Sequence, residues 1–421
     1  NTLFLMSKFD YKYQKKCRLC DNKYLSTVIN LNKTPLANSF LKKKDLKKKE
    51  KYYPLKVNFC KKCAHLQLSH IVNAKSMFDD YLYLTNTSRQ NVDHFKSYAA
   101  KIKKIMNSKQ KLSILDIASN DGTFLKFFNK KKYNRLGIDP AKNLSKFSKK
   151  LGISQLQMYF TFSNSKIIKK KFGRFNIITA NHVCAHVSDL IDFFKGVKNL
   201  LDINGIFVFE ISYLGSVIKK KIFDTIYHEH ADYHALKPLI QFVKRFGLEI
   251  FDFEIVKAQG GSLRVYTCHT NSKKINKEKI KKQIFFEKNI LKLFQPSTYR
   301  KFEKEIIKIK DKLNIILDKL KKDKKKVAGY GAAAKTTTLL NYFNINKNTI
   351  NFIVDDNPLK QNRYTPGTHI PIKSSNEIYK KKPDYIIILA WNYASHIINL
   401  HKKFKKIKGK FIIPFPKIKI L

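Results

Sequence analysis

Ser113-Ile-Leu-Asp116-Ile-Ala-Ser-Asn120-Asp121-Gly122-Thr-Phe-Leu125 is the segment from which the architecture can be read. Ile114, Leu115 and Ile117 form a short apolar run without helical spacing, which reads as a buried strand. A turn of small and polar residues follows, then a run that reads as a helix. Gly122 at the turn lets the backbone approach a ligand closely. A second strand, Asn134 to Ile138, ends in the acid Asp139. That acid lies roughly twenty residues after the turn, where a Rossmann-type fold sets a carboxylate on ribose hydroxyls. The turn is not G-x-G-x-x-G, so the dinucleotide fingerprint of NAD or FAD is missing. Asp116, a small loop through Ala118, Asn120 and Gly122, and Asp139 suit S-adenosylmethionine instead. That molecule has no phosphate, but it has an amino acid group, a sulfonium charge and a ribose.

The alternation continues outward. Lys142 to Leu151 reads as a helix, Ile153 to Met158 as a strand and Phe175 to Ala180 as another. A helix over Val187 to Leu201 and a strand over Gly205 to Glu210 come next. A helix from Pro238 to Phe246 leads to two closing strands, Leu248 to Val256 and Ser262 to Thr267. This is the element order of a class I methyltransferase sheet. Ligands of such α/β sheets sit at the carboxyl ends of the strands, where Asp116, Asp139, Asn181 and the loop holding His186 fall.

Upstream, Cys17-Arg-Leu-Cys20 and Cys60-Lys-Lys-Cys63 form two C-x-x-C pairs. Two such knuckles complete a four-sulfur, closed and therefore structural zinc site. Their connection exceeds the ~15–20 residues of common ribbons, so a small strand-rich unit through Leu31, Pro35, Leu36 and Phe40 is expected. Asp93 to Met106 reads as a lysine-rich amphipathic helix leading into the central domain.

The chemistry is expected at Tyr227-His228-Glu229-His230, which apolar residues flank on both sides. Imidazole and carboxylate side by side can do general acid/base work near neutral pH. The bland alternative is a solvated turn.

Downstream, Ser272 to Lys326 is lysine-rich and helical in pattern. Val327-Ala-Gly329-Tyr-Gly331-Ala-Ala-Ala-Lys335-Thr336-Thr-Thr again reads as strand, glycine turn and helix. The P-loop pattern is absent, which excludes ATP hydrolysis through one. Three hydroxyls, Lys335 and a helix amino terminus suit a phosphate, and Lys335 is the expected contact to the anionic part of the substrate. A glycine turn used only for packing is the competing reading.

Charge bounds the partners. Of 421 residues, 85 are Lys or Arg and 31 Asp or Glu, a formal net charge of +54. The lysines are spread along the whole chain, in runs such as Lys42–Lys44 and Lys130–Lys132, as solvated faces are. No specific nucleic-acid partner is expected, although anionic ligands are favoured. No apolar run approaches the ~20 residues of a membrane span. Asn1 to Met6 has no signal-peptide pattern, and Met6 reads as a candidate start. Six cysteines point to thiols or metal rather than disulfides. A cytoplasmic location is expected; the oligomeric state is open.

With these residues placed, the whole chain resembles the sugar C-methyltransferases that act on nucleotide-linked keto-deoxysugars. The resemblance rests on the two Cys pairs, Leu31–Phe40, Tyr81–Ser88, Ser119–Thr123, Ala185–Val187, Tyr227–His230 and Gly260–Arg264 in that order. It implies an α/β protein of three parts. These are a small zinc-binding amino-terminal domain (1–78), a class I S-adenosylmethionine methyltransferase core (79–271) and a Rossmann-like α/β domain with its leading helices (272–421). It further implies that Tyr81, His186, Tyr227, Glu229 and His230 act in catalysis, with His230 as the base, oriented or polarised by Glu229. A 4-keto group acidifies the hydrogen on C3; its removal gives an enolate whose carbon attacks the sulfonium methyl. Two other readings stand beside this one: the same architecture acting on another carbonyl acceptor, and a zinc-bearing basic protein that binds nucleic acid.

Overall fold

The computed structural model of the protein describes residues 10–73, 75–78, 85 and 89–421. Its centre is a seven-stranded sheet. In spatial order the strands are Leu248–Val256, Ser262–His269, Leu201–Ser212, Phe175–Asn181, Leu112–Ile117, Tyr133–Ile138 and Ser154–Leu156. Ser262–His269 alone runs antiparallel to both of its neighbours. The chain reverses its direction of growth between Leu112–Ile117 and Phe175–Asn181. A crevice opens there at the strands' carboxyl ends. Successive residues of the central strands point to opposite faces, and both faces are buried. One face packs Phe193, Phe194, Phe207 and Phe209 against Phe242; the other packs Phe124 and Phe128 beneath Tyr98 of the helix Arg89–Ile105.

A four-stranded antiparallel sheet forms the amino-terminal unit, in the order Asp232–Tyr233, Leu66–Leu68, Tyr53–Cys60 and Leu25–Thr34. Its first strand comes from the central part of the chain, directly after His230 and Ala231. The expected catalytic stretch is therefore sewn into the zinc-binding unit by backbone hydrogen bonds.

The carboxyl-terminal sheet has six strands, ordered Ile372–Lys373, Phe352–Val354, Val327–Tyr330, Tyr385–Ile388, Lys410–Ile413 and Lys419–Ile420. All but the last pair are parallel. It has its own switch point between Val327–Tyr330 and Tyr385–Ile388. The 27-residue helix Pro296–Lys322 buries Tyr299, Phe302, Ile306, Leu313 and Leu317. One continuous core joins it to the amino-terminal sheet, to residues 214–235 and to the carboxyl-terminal sheet.

The differences from expectation have local causes. The helix expected from Val187 starts at Leu190, because Asp189 caps it by accepting from the backbone of Ile191 and Asp192. After the Gly122 turn the chain makes only one 3-10 turn, Leu125–Phe127, rather than a helix. Its aromatics pack against the helix Arg89–Ile105, with Phe124 4.9 Å from Tyr98 between ring centres. A helix not foreseen, Phe162–Phe172, is capped by Thr161 and buries only Ser165 and Ile168. Its lysines hide so narrow an apolar stripe from a periodicity search.

Candidate active site

The carboxyl ends of the central strands, the amino-terminal unit and the carboxyl-terminal sheet enclose one cavity of about 990 Å³. That is the upper end of the usual size for a small-molecule site, ~300–1,000 Å³. Asp116, Ala118, Asn120, Asp139, Asn181, His186, Tyr227, Glu229, His230 and Lys335 all line it. Tyr81 lies outside the described residues.

The first wall is the turn after Leu112–Ile117. Ala118 and Asn120 both adopt left-handed backbone conformations, φ 55° and 51°, which non-glycine residues rarely hold without a reason. Asp139 fixes that turn, its two carboxylate oxygens accepting from the backbone N–H of Asn120 and of Ala141, each at 2.9 Å. Each oxygen keeps further lone pairs for a hydroxyl. Asp116 is buried and accepts from Thr179 Oγ1 at 2.6 Å and from Asn181 Nδ2 at 3.3 Å. Burial raises its carboxyl to about 7, with the Thr179 bond opposing. Asn181 Oδ1 is buried with no hydrogen-bond partner among the described residues. Two acids, an orphan acceptor and an apolar lining through Met158 and Phe160 fit a cationic methyl donor carrying an amino acid and a ribose. Gly122 departs from expectation. It does not line the cavity; a side chain there would meet Ile153 at 2.9 Å and Ser148 at 3.2 Å. Its bare Cα serves packing and its positive φ of 78°.

The second wall is the Tyr227–His230 turn, in which Tyr227, His228 and Glu229 are buried and His230 is half-buried. His230 Nδ1 lies 2.7 Å from the Thr225 carbonyl, which only accepts, so Nδ1 carries the proton. Nε2 is thereby the acceptor, and the Tyr227 hydroxyl donates to it at 2.9 Å. The rings of His186 and His230 meet edge to face, 4.9 Å apart. Burial holds the His230 imidazole well below its ordinary pKa, and burial pulls His186 down to about 3. Both are neutral at physiological pH, the state from which a base starts. Glu229 does not orient His230, contrary to expectation. Its carboxylate accepts from Asn38 Nδ2 at 2.7 Å, and burial raises it to about 7 with Lys360 nearby.

The third wall belongs to the carboxyl-terminal part. Lys335, at the start of the helix Ala334–Phe343, has a buried Nζ with no hydrogen-bond partner among the described residues. The expected hydroxyl contacts to a phosphate are not available. Thr336 donates to the Gly331 carbonyl, Thr337 to that of Ala37 and Thr338 to that of Ile226, at 2.7, 2.8 and 3.0 Å. Two of these bonds tie the helix to the other parts of the chain instead. Asp355 also faces the cavity, accepting from Ala332 N–H at 2.7 Å.

Several cavity residues were not singled out in the sequence. His182 follows Asn181 in a left-handed conformation, φ 57°, with Nε2 3.8 Å from Glu210. His94 Nε2 reaches the same buried carboxylate at 2.8 Å. Asn38 sits within a quoted motif without an assigned role, and Lys360 only meets Glu229 once three parts of the chain converge.

Outside the cavity, Cys17, Cys20, Cys60 and Cys63 converge so that their sulfurs all lie within 4.8 Å of one another. Cys17–Cys63 and Cys20–Cys60 are each 3.6 Å apart. Zn–S bonds of ~2.3 Å in a tetrahedron put sulfurs about 3.8 Å apart, so the thiols fit zinc. The two knuckles are built alike. Each closes with a backbone bond to the carbonyl of its first cysteine, from Asp21 at 3.0 Å and Ala64 at 2.9 Å. In each, the residue after the second cysteine is left-handed. With four thiolates the metal has no open position, and its role is structural.

Among the described residues, no helix is long and apolar enough to cross a membrane. Residues 17–78 match a family model described as "Putative zinc binding domain", residues 89–252 one described as "Methyltransferase domain", and residues 257–416 one described as "C-methyltransferase C-terminal domain". C-methyltransferase NovU of Streptomyces niveus is 28% identical over 406 residues, 96% of each chain. Among solved structures, an S-adenosylmethionine-dependent methyltransferase from Clostridium acetobutylicum is 15% identical with a TM-score of 0.35, covering 42% of this chain and 92% of its own. Magnesium protoporphyrin IX methyltransferase from Synechocystis is 9% identical with a TM-score of 0.32, covering 43% and 79%. Zinc-binding, methyltransferase and C-methyltransferase carboxyl-terminal domains thus follow one another along nearly the whole sequence, and the protein is an S-adenosylmethionine-dependent methyltransferase similar over its length to a C-methyltransferase.

Proposed function

We propose that the protein methylates a carbon next to the ketone of a nucleotide-linked 4-keto-deoxysugar, at C3, through an enolate. The observation that carries this reading is the Tyr227–His230 pair in the same cavity as Asp116 and Asp139. Asp116, Ala118, Asn120, Asp139 and Asn181 hold S-adenosylmethionine, which supplies an electrophilic methyl. His230 accepts at Nε2 because its Nδ1–H donates to the Thr225 carbonyl. The substrate proton passes to Nε2 directly or through the Tyr227 hydroxyl bound to it. His186 borders the same space and serves the developing enolate oxygen or the sugar. Burial excludes water from the enolate.

Lys335 and the amino terminus of its helix face the diphosphate. Asp355 and Asp356 follow the strand Phe352–Val354, where a doubly wound sheet sets acids on ribose hydroxyls. The sequence resemblance supports the sugar substrate, and the proximity of these groups to Glu229 and Asn38 supports one ligand spanning all three parts.

The test is incubation with methyl-labelled S-adenosylmethionine and a panel of nucleotide-linked 4-keto-6-deoxy sugars, read by mass spectrometry. Label enters the sugar with the wild type, falls about 10²–10⁴-fold in His230→Ala, and needs more substrate in Lys335→Ala. Label retained in His230→Ala moves the base to Tyr227 or His186. No label from any sugar, with cofactor bound, favours a different carbonyl acceptor.

A further inference from the structure

We propose that Arg18, inside the first cysteine pair, is a positioning residue for methyl transfer. It sets His186 against His230 and so couples the zinc knuckles to turnover. This rests on the roles given above to those two histidines.

Arg18 is buried, and its guanidinium reaches two separate segments of the central domain. Nε donates to Asp232, at 3.0 and 2.9 Å from the two carboxylate oxygens. Nη1 donates to the Ser188 carbonyl at 2.7 Å and Nη2 to that of Val187 at 2.6 Å. Asp232 comes two residues after His230; Val187 and Ser188 come directly after His186. Between the residue after His230 and the residue before His186, Ala231 N–H donates to the Ala185 carbonyl at 2.7 Å. The two segments that carry the edge-to-face pair are therefore tied to each other by a backbone bond and by the guanidinium, which is carried between two metal-binding thiols.

The second knuckle converges on the same carboxylate. His65, two residues after Cys63, lies 2.8 Å from Asp232 Oδ1. Gln67 accepts from Arg18 N–H at 2.7 Å and donates to the Lys16 carbonyl at 3.0 Å, gripping the backbone on both sides of Cys17. An arginine fork can span three acceptors in one plane; a lysine ammonium cannot. Simple docking of the knuckle does not need this arrangement. Arg245, the C-cap of the helix Leu236–Lys244, already docks it, donating to Leu19 O and to Asp21 at 2.6 Å.

The two arginines make the test. In the zinc-loaded full chain, Arg18→Lys lowers kcat by about tenfold or more, the scale of a misplacement near 1 Å. Zinc content and S-adenosylmethionine Kd stay unchanged. The imidazole nitrogen signals of His186 and His230 move in its NMR spectrum, and chelation of zinc from the wild type moves the same signals. Arg245→Lys leaves kcat within about twofold and those signals in place. If Arg18→Lys does not accumulate folded, Arg18→Gln with Asp232→Asn removes both charges together and is held to the same readouts. Unchanged kcat and unchanged imidazole signals, or an equal loss in Arg245→Lys, overturns the inference. Imidazole signals insensitive to zinc removal overturn its metal coupling. Full activity in His186→Ala and His230→Ala would instead overturn the reading of the site, whatever Arg18 does.

Discussion

Asp116 shows how one buried carboxyl can report on cofactor binding. It is 2% exposed, and burial holds it near 7 despite the Thr179 hydroxyl. A cationic ligand beside it favours the charged form, so binding drives the proton off. The sign follows: affinity for S-adenosylmethionine strengthens as pH rises towards about 7 and levels off above it, by at most about tenfold per pH unit for one proton. Calorimetry across pH 5.5–8.5 checks this, and Asp116→Asn should flatten the rise. A profile unchanged in the variant would place the titrating group elsewhere. At the same scale, His230 was legible in the sequence as a base candidate, but its partners were not. Adjacency in the chain put Glu229 beside it. In the turn, successive side chains diverge, so Thr225 and Tyr227 hold the ring while Glu229 faces Asn38 and Lys360.

The helices and strands that carry these residues were legible to different degrees. Leu190, Phe193, Phe194, Val197 and Leu200 repeat at helical spacing, all are buried, and the helix is where that pattern puts it. The central strands were equally plain, because parallel strands buried on both faces read as apolar runs. Short elements at the edges were not. Phe162–Phe172, Ile372–Lys373 and Lys419–Ile420 bury too few residues to stand out from the lysine background. Phe194 tests the packing. Its ring centre lies 5.7 Å from Phe207, 5.9 Å from Phe209 and 5.0 Å from Phe242. Phe194→Ala should destabilise the fold by about 3–5 kcal/mol, measured by denaturant unfolding. A loss below about 1 kcal/mol would mean that the layer repacks.

At the scale of the molecule, three parts that the sequence separates share one core and one cavity. Thr337 ties the carboxyl-terminal helix to Ala37, and Thr338 ties it to Ile226, one residue before Tyr227. The strand Asp232–Tyr233 joins the central domain to the zinc-binding sheet. The sequence shows the three parts; it does not show that His230 sits where they meet, because no local pattern encodes that convergence. On the proposed mechanism this junction makes an enolate. The most direct test is solvent exchange: a nucleotide-linked 4-keto-6-deoxy sugar that the enzyme methylates is incubated in D₂O with S-adenosylhomocysteine in place of the methyl donor. Deuterium is expected at the carbon next to the ketone with the wild type, and a loss of about 100-fold or more in His230→Ala. A wild-type enzyme that methylates this sugar but washes in no deuterium, or a variant that exchanges as fast, would contradict the mechanism.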